Sequence, residues 1–172
     1  MNKTLMAGLA ALILTGSAEA VTFETGLNGS PKKGFKPFVG VSQELFKKGK
    51  VKVSGRVEKQ LGSDMALQAW GSYDLGSGTS VTLGGKEGID EGSNPFNPGY
   101  FMPSAELSRK LGNFSVGVGG RVYFPKGKEY DIQATASGSY KFGPFGIKII
   151  PVVPVTHPQD ASAKLTASYD LR

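Results

Sequence analysis

The sequence predicts an all-β protein, folded as an antiparallel up-and-down β-barrel. Apolar and polar residues alternate with a period of two from residue 21 to the C-terminus, and glycine-containing turns separate the alternating segments. In the segment 51–58 (VKVSGRVE), apolar residues and glycine occupy the odd positions and polar residues the even ones. Because a β-strand points successive side chains to opposite faces, each such segment has one apolar and one polar face.

The first 20 residues are predicted to be a cleaved secretory signal peptide. Lys3 supplies a basic start, Leu5–Leu14 is apolar, and Ala18-Glu19-Ala20 has the small-x-small form of a cleavage site. The apolar run is shorter than the ~20 residues of a membrane-spanning helix. We therefore expect cleavage after Ala20 and a single β-barrel domain over residues 21–172.

The alternation predicts ten strands, at about 21–28, 35–46, 50–61, 65–75, 79–87, 99–111, 113–124, 129–142, 145–155 and 162–172. The connections after the even-numbered strands are short, and three of them contain the Gly-rich sequences that close hairpins. Longer connections follow strands 1, 5, 7 and 9, which places the long loops at one end of the barrel. Eight strands remain the alternative if strand 1 or strand 5 does not form.

The alternation alone leaves the direction of the apolar face open. A soluble β-sandwich or a lipocalin-like barrel would bury that face. Strands of about 10–12 residues are long enough to cross a bilayer when tilted, which favours an apolar face in contact with lipid. Aromatic residues near both ends of the apolar face form the two girdles typical of membrane barrels. The predicted lipid-interface aromatics are Tyr73, Phe101, Phe114, Phe124, Tyr130, Tyr140, Phe142 and Tyr169.

With these features the chain resembles the small outer-membrane β-barrel proteins as a class. The resemblance covers residues 21–172 and depends on the overall pattern, not on a unique motif. It implies a transmembrane barrel in the outer membrane of a Gram-negative-type bacterium, contacts with outer-membrane lipid and anionic glycolipid, and insertion by the barrel-assembly machinery. Members of the class usually end in an aromatic residue, and the terminal Arg172 departs from that pattern.

The polar face of such a barrel would line the lumen, where charged side chains need partners. A barrel of eight to ten strands has a narrow interior that side chains largely fill. We therefore expect a salt-bridged, largely filled lumen with an excess of basic groups, which would make any narrow pore anion-leaning. The predicted charge network is Lys52, Arg56, Glu58, Asp74, Glu106, Lys110, Arg121, Asp131, Lys141, Lys148, Lys164 and Asp170.

The predicted function is that of a structural or surface-interaction protein or a narrow pore, and a hydrolase is the enzymatic alternative. Outer-leaflet lipid-modifying hydrolases need a His activated by a carboxylate, beside a Ser or water nucleophile. His157, the one histidine, has Asp160 and Ser162 nearby, without a recognisable family motif. These three residues are the weak catalytic candidates. The loop 87–100 is the candidate contact for a surface partner. We expect no metal and no cofactor. We also expect no nucleic acid, because the bases that give the net charge of +6 are dispersed along the chain.

Overall fold

The computed structural model describes residues 21–62, 65–89, 99–127 and 129–171, which fold as one closed β-barrel. Every strand pairs antiparallel with its neighbours in sequence, and the first strand pairs with the last. The strands are β1 (Val21–Ser30), β2 (Gly34–Lys48), β3 (Val51–Gln60), β4 (Met65–Gly76), β5 (Thr79–Ile89), β6 (Tyr100–Leu111), β7 (Phe114–Pro125), β8 (Asp131–Phe142), β9 (Phe145–Pro154) and β10 (Ser162–Leu171).

The predicted ten-stranded antiparallel barrel is therefore confirmed, and the eight-stranded alternative is wrong. Strands 1 and 5, the two in doubt, are both formed and paired on both sides. The predicted signal peptide lies outside the described residues, so its cleavage stays a prediction. Within the described ranges, no helix is long and apolar enough to cross a membrane.

Closure of the barrel depends on the pairing of β1 with β10. Their register runs from Val21 opposite Leu171 to Gly29 opposite Ala163. Closure removes the unpaired edges that an open sheet would present to other chains. Closure also fixes which side chains of each strand face the lumen. A slip of one residue in any register would turn the inward side chains of that strand outward.

The two rims of the barrel differ in the length of their connections. We call the rim that holds Val21 and Leu171 the terminal rim; its four hairpins close through the two-residue turns 49–50, 77–78, 112–113 and 143–144. Gly49, Gly112 and Gly143 have positive φ there, a conformation that glycine adopts without steric cost. The opposite rim, called the loop rim, carries the connections 31–33, 61–64, 90–99, 126–130 and 155–161. The predicted asymmetry of loop lengths is thus observed.

Proline residues interrupt hydrogen bonding near the loop rim without ending the strands. Pro103 lies within β6, where the ladder with β7 skips residues 102 and 103 but keeps its register. Pro151 lies within β9, which continues to Pro154. Proline lacks the N–H that a ladder requires, so its place toward the end of a wall limits the loss.

The apolar face of the sheet points outward. Aliphatic side chains of this face are exposed on every strand, and Leu83 and Val118 reach 61% and 63% exposure, although Val41 and Val57 on the same face are buried. The inward residues include Phe38, which is only 1% exposed, and several buried polar side chains. The barrel therefore presents apolar groups to its surroundings and polar groups to its interior, the reverse of a soluble β-sandwich.

We expect that a disulfide placed across the β1–β10 seam will form and lock the barrel closed. Thr25 lies opposite Ala167, and directly opposed residues have Cβ atoms about 4.5–5.5 Å apart. The Thr25→Cys/Ala167→Cys variant, in a chain without natural cysteine, should change its gel mobility on oxidation. Thr25→Cys/Ala134→Cys is the control, because β8 is not a neighbour of β1. Equal oxidation of both variants would contradict the closed topology.

Candidate functional site

The most highly connected ionic group in the lumen is the carboxylate of Glu58 on β3. Its side chain is 4% exposed. Arg56 Nη2 lies 2.8 Å and Lys86 Nζ lies 3.2 Å from its oxygens, and Lys164 forms a third ion pair. These cations come from β3, β5 and β10, so one carboxylate connects strands that are not all neighbours in the sheet.

A second carboxylate and an aromatic ring complete this cluster, which we call the Glu58 cluster (Glu24, Phe38, Arg56, Glu58, Lys86 and Lys164). Glu24 on β1 forms an ion pair with Arg56 and accepts a hydrogen bond of 3.2 Å from Ser42 Oγ. The ring centroid of Phe38 lies 4.3 Å from Lys164 Nζ and 5.5 Å from Arg56 Cζ. Cations above an aromatic face gain electrostatic stabilisation, most strongly where water is excluded.

A separate polar chain holds Arg121 on the other side of the lumen. Arg121 Nε donates a hydrogen bond of 2.7 Å to Gln133 Oε1, and Gln133 Nε2 donates one of 2.8 Å to Asp131 Oδ2. Thr156 Oγ1 in the 155–161 loop donates to the other oxygen of Asp131 at 3.2 Å. Arg121 is therefore oriented by the neutral amide of Gln133, which in turn bonds to the Asp131 carboxylate.

A cavity of about 670 Å³ lies between these two groups of side chains. Its charged lining consists of five cations and two carboxylates: Arg56, Lys86, Arg121, Lys148, Lys164, Glu24 and Glu106. Both carboxylates already have partners, because Glu24 pairs with Arg56 and Glu106 accepts a 3.1 Å hydrogen bond from Ser137 Oγ. The cavity wall therefore carries an excess of positive charge.

Other members of the predicted charge network lie near the terminal rim. Lys141 forms an ion pair with Asp170, whose other oxygen accepts a 2.8 Å hydrogen bond from Thr22. Lys52 lies 2.5 Å from Glu44, and Asp74 accepts a 2.7 Å hydrogen bond from the backbone N–H of Gly76. Lys110 is exposed at the same rim. The predicted residues are therefore divided between the cavity, the loop rim and the terminal rim.

Sequence reasoning missed four participants: Glu24, Phe38, Glu44 and Lys86. The alternation within β1 and β5 gives Glu24 and Lys86 the inward phase, so a complete parity assignment would have found them. Phe38 is an apolar residue at an inward position, and no local signal distinguishes it. The structure shows why the Phe38 ring fits there. Gly26 lies opposite Phe38, and a Cβ added to Gly26 would lie only 3.0 Å from the ring.

The eight predicted interface aromatics are all exposed on the outer surface. Successive rings of Tyr140, Phe142, Phe145 and Tyr169 contact one another at the terminal rim, with centroids 4.9–6.1 Å apart. The ring centroids of Phe124 and Tyr130 are 6.0 Å apart at the loop rim. Aromatic residues thus mark both ends of the apolar wall.

The three weak catalytic candidates lie in or beside the 155–161 loop but have different partners. His157 Nδ1 is 3.0 Å from Thr156 Oγ1, and Asp160 is 3.1 Å from Lys32 Nζ. The hydrogen bond and charge of Lys32 lower the pKa of the Asp160 carboxyl below its ordinary value. Ser162 begins β10. Asp160 thus connects the 155–161 loop to the 31–33 loop instead of orienting His157.

Comparison with known proteins supports the fold and no closer relationship. No protein-family model and no curated protein matches the chain. A solved structure from a study titled "Unveiling the Mechanism Behind the in-meso Crystallization of Membrane Proteins" is similar, with a TM-score of 0.54 and 9% identity over 89% of this chain and 83% of that one. At this identity the likeness shows the fold alone, and the class-level resemblance to outer-membrane barrels is confirmed in that sense.

Two porins give weaker structural matches. The KdgM porin has a TM-score of 0.47 and 16% identity over 89% of this chain and 99% of its own. A mutant Rh. blastica porin has a TM-score of 0.40 and 9% identity over 80% of this chain and 44% of its own. These likenesses are too low to carry a role from either porin to this chain.

We expect Glu58→Gln to destabilise the barrel by about 3–5 kcal/mol, because it leaves three cations around a neutral amide in a buried site. Glu106→Gln is the matched control, since Glu106 accepts one hydrogen bond from a serine and should cost about 1–2 kcal/mol. The free energy of unfolding in lipid vesicles, measured by urea titration, compares the two. Similar losses for both variants would contradict a special role of Glu58 in holding the cations together.

Proposed function

We propose that this chain is an outer-membrane β-barrel whose charged lumen acts as a narrow, anion-leaning pore. The observation that carries the membrane part is the outward apolar face, including Leu83 and Val118 at mid-strand. Soluble monomers rarely expose contiguous apolar patches larger than a few hundred Å². A lipid surrounding removes that cost, and a closed barrel leaves no backbone hydrogen bond unmade at an edge.

The two rims support the same placement. Tyr and Trp favour the membrane–water interface because their rings have an apolar body and a polar tip. Tyr140 and Tyr169 lie at the terminal rim, and Tyr130 lies at the loop rim. The loop rim would face outward from the cell, where the exposed Lys33 would meet anionic glycolipid phosphates.

The charge of the cavity supports the anion-leaning character. Rings of basic side chains favour anions in pores because they replace part of the ion's hydration and offset its charge. Here the cavity lining has five cations against two carboxylates. The Glu58 cluster narrows the lumen on one side, so passage would be limited to small solutes.

A role as a structural or surface-interaction protein without conduction remains the second candidate. The many ion pairs of the lumen favour it, since charged groups that pair across a barrel fill its interior. The predicted partner contact at loop 87–100 falls largely on residues outside the described ranges. No observation favours the hydrolase, because His157 and Asp160 are engaged with other side chains.

We expect Val118→Arg to destabilise the barrel in lipid by about 2–4 kcal/mol, the usual cost of a base at the midplane of a barrel's lipid face. Val155→Arg, in the exposed 155–161 loop, should cost about 0–1 kcal/mol. Urea unfolding in vesicles measures both. If Val118→Arg is harmless while the protein is stable without lipid or detergent, the membrane placement is wrong.

We expect single-channel currents in planar bilayers. In a KCl gradient the reversal potential should lie closer to the equilibrium potential of chloride than to that of potassium. Lys148→Glu should shift that potential toward the potassium value, because it reverses a charge on the cavity wall. Lys47→Glu, at the exposed terminal rim, should change it little. Folded protein without conductance would contradict the pore and favour the non-conducting role.

A further inference from the structure

We infer that the lumen cavity is a binding site for a small multivalent oxyanion, such as a diphosphate or a polycarboxylate. This inference deepens the proposed pore by naming the class of solute that its lumen would hold. It depends on the cavity wall and its charges, and it would stand for a barrel that binds without conducting.

The protein leaves part of the positive charge of the cavity wall uncompensated. Three of the five lining cations share the buried carboxylate of Glu58, and one of these three also pairs with Glu24. Counting Glu58 with the wall, five cations still face only three carboxylates. Positive groups held close together in a confined space repel one another, so an anion with more than one negative charge would be favoured over a monovalent one.

Two of the lining cations, Arg121 and Lys148, lie outside the Glu58 cluster. Arg121 is held through Nε by Gln133, and its side chain lines the cavity. Lys148 on β9 lines the same cavity, and within the part of the chain that the structure describes no ion pair is recorded for it. A guanidinium fork and an ammonium are the groups that proteins use for phosphate and carboxylate oxygens.

A chain of hydrogen bonds orients the Arg121 side chain. The chain from Thr156 through Asp131 and Gln133 fixes the plane of the guanidinium before any solute arrives. Preorganised donors bind more tightly because less freedom is lost on association. Because these hydrogen bonds begin at Thr156 in the 155–161 loop, they link the loop rim to the Arg121 guanidinium.

Binding in the cavity can be followed by the fluorescence of a tryptophan that lines it. Trp70 is the single tryptophan of the chain and lines the cavity. Purified protein in uncharged maltoside micelles, at constant ionic strength, would be titrated with pyrophosphate, with citrate and with chloride while Trp70 emission is recorded. Isothermal titration calorimetry with the same three anions gives a second measurement that does not depend on the optical signal.

We expect saturable binding of pyrophosphate or citrate at concentrations at least tenfold below any effect of chloride. The ratio of the two midpoints tells whether phosphate or carboxylate oxygens fit better. Arg121→Gln and Lys148→Gln should each weaken binding about tenfold, the usual effect of losing one hydrogen bond from a charged donor. Arg109→Gln and Lys47→Gln remove the same charges from exposed positions outside the cavity and should leave binding unchanged.

Absence of saturable binding in both measurements, or equal weakening by the control variants, would overturn the proposal. Lys148→Gln is the safer variant, because no recorded ion pair is lost with it, and heat-dependent gel migration would verify that each variant is folded. Binding without conductance would retain the anion site and reject the pore. Conductance with chloride preference but no pyrophosphate or citrate binding would retain the pore and reject the site.

Discussion

The pairing of β1 with β10 is the constraint on which the rest of the structure depends. Once Val21 lies opposite Leu171, the inward or outward phase of every other strand follows through the antiparallel registers. A closed barrel has no free edge and one interior, so each polar residue of the inward phase must find a partner or water within it. Closure thus produces both the apolar wall and the concentration of charge inside.

The interior resolves this concentration of charge differently on its two sides. Around Glu58, cations from three strands converge on one buried carboxylate, with Phe38 packed against them. Here three cations share Glu58 and Glu24, so most of their charge is compensated, and the ion pairs connect strands across the lumen. Arg121 instead donates to the neutral amide of Gln133, and the Asp131 carboxylate bonds to that amide. Buried ionic groups with incomplete compensation cost stability and are most often found where a protein binds something.

The sequence predicted the bounds of each strand to within about two residues. It did so because alternation and turn glycines are local signals that closure does not override. It predicted less of the site. Parity places Arg56, Glu58 and Lys164 on one face, but it does not tell that they meet, because β3 and β10 are far apart in the chain. That contact depends on barrel size and strand stagger, which fix which inward side chains share a level. Phe38, an apolar residue among charges, could be found only from the three-dimensional neighbours.

Glycines on the inward face explain why the lumen is uneven. On β7, a Cβ at Gly117 would lie 2.7 Å from Glu106 Oε1, and one at Gly119 would lie 2.2 Å from the backbone oxygen of Ala105. On β5, a Cβ at Gly84 would lie 2.8 Å from the Cβ of Trp70. These positions have no side chain of their own and are occupied by the side chains or backbone of neighbouring strands. At these three positions β5 and β7 add no side-chain bulk to the lumen, which leaves room for the cavity that Trp70, Arg121 and Lys148 line.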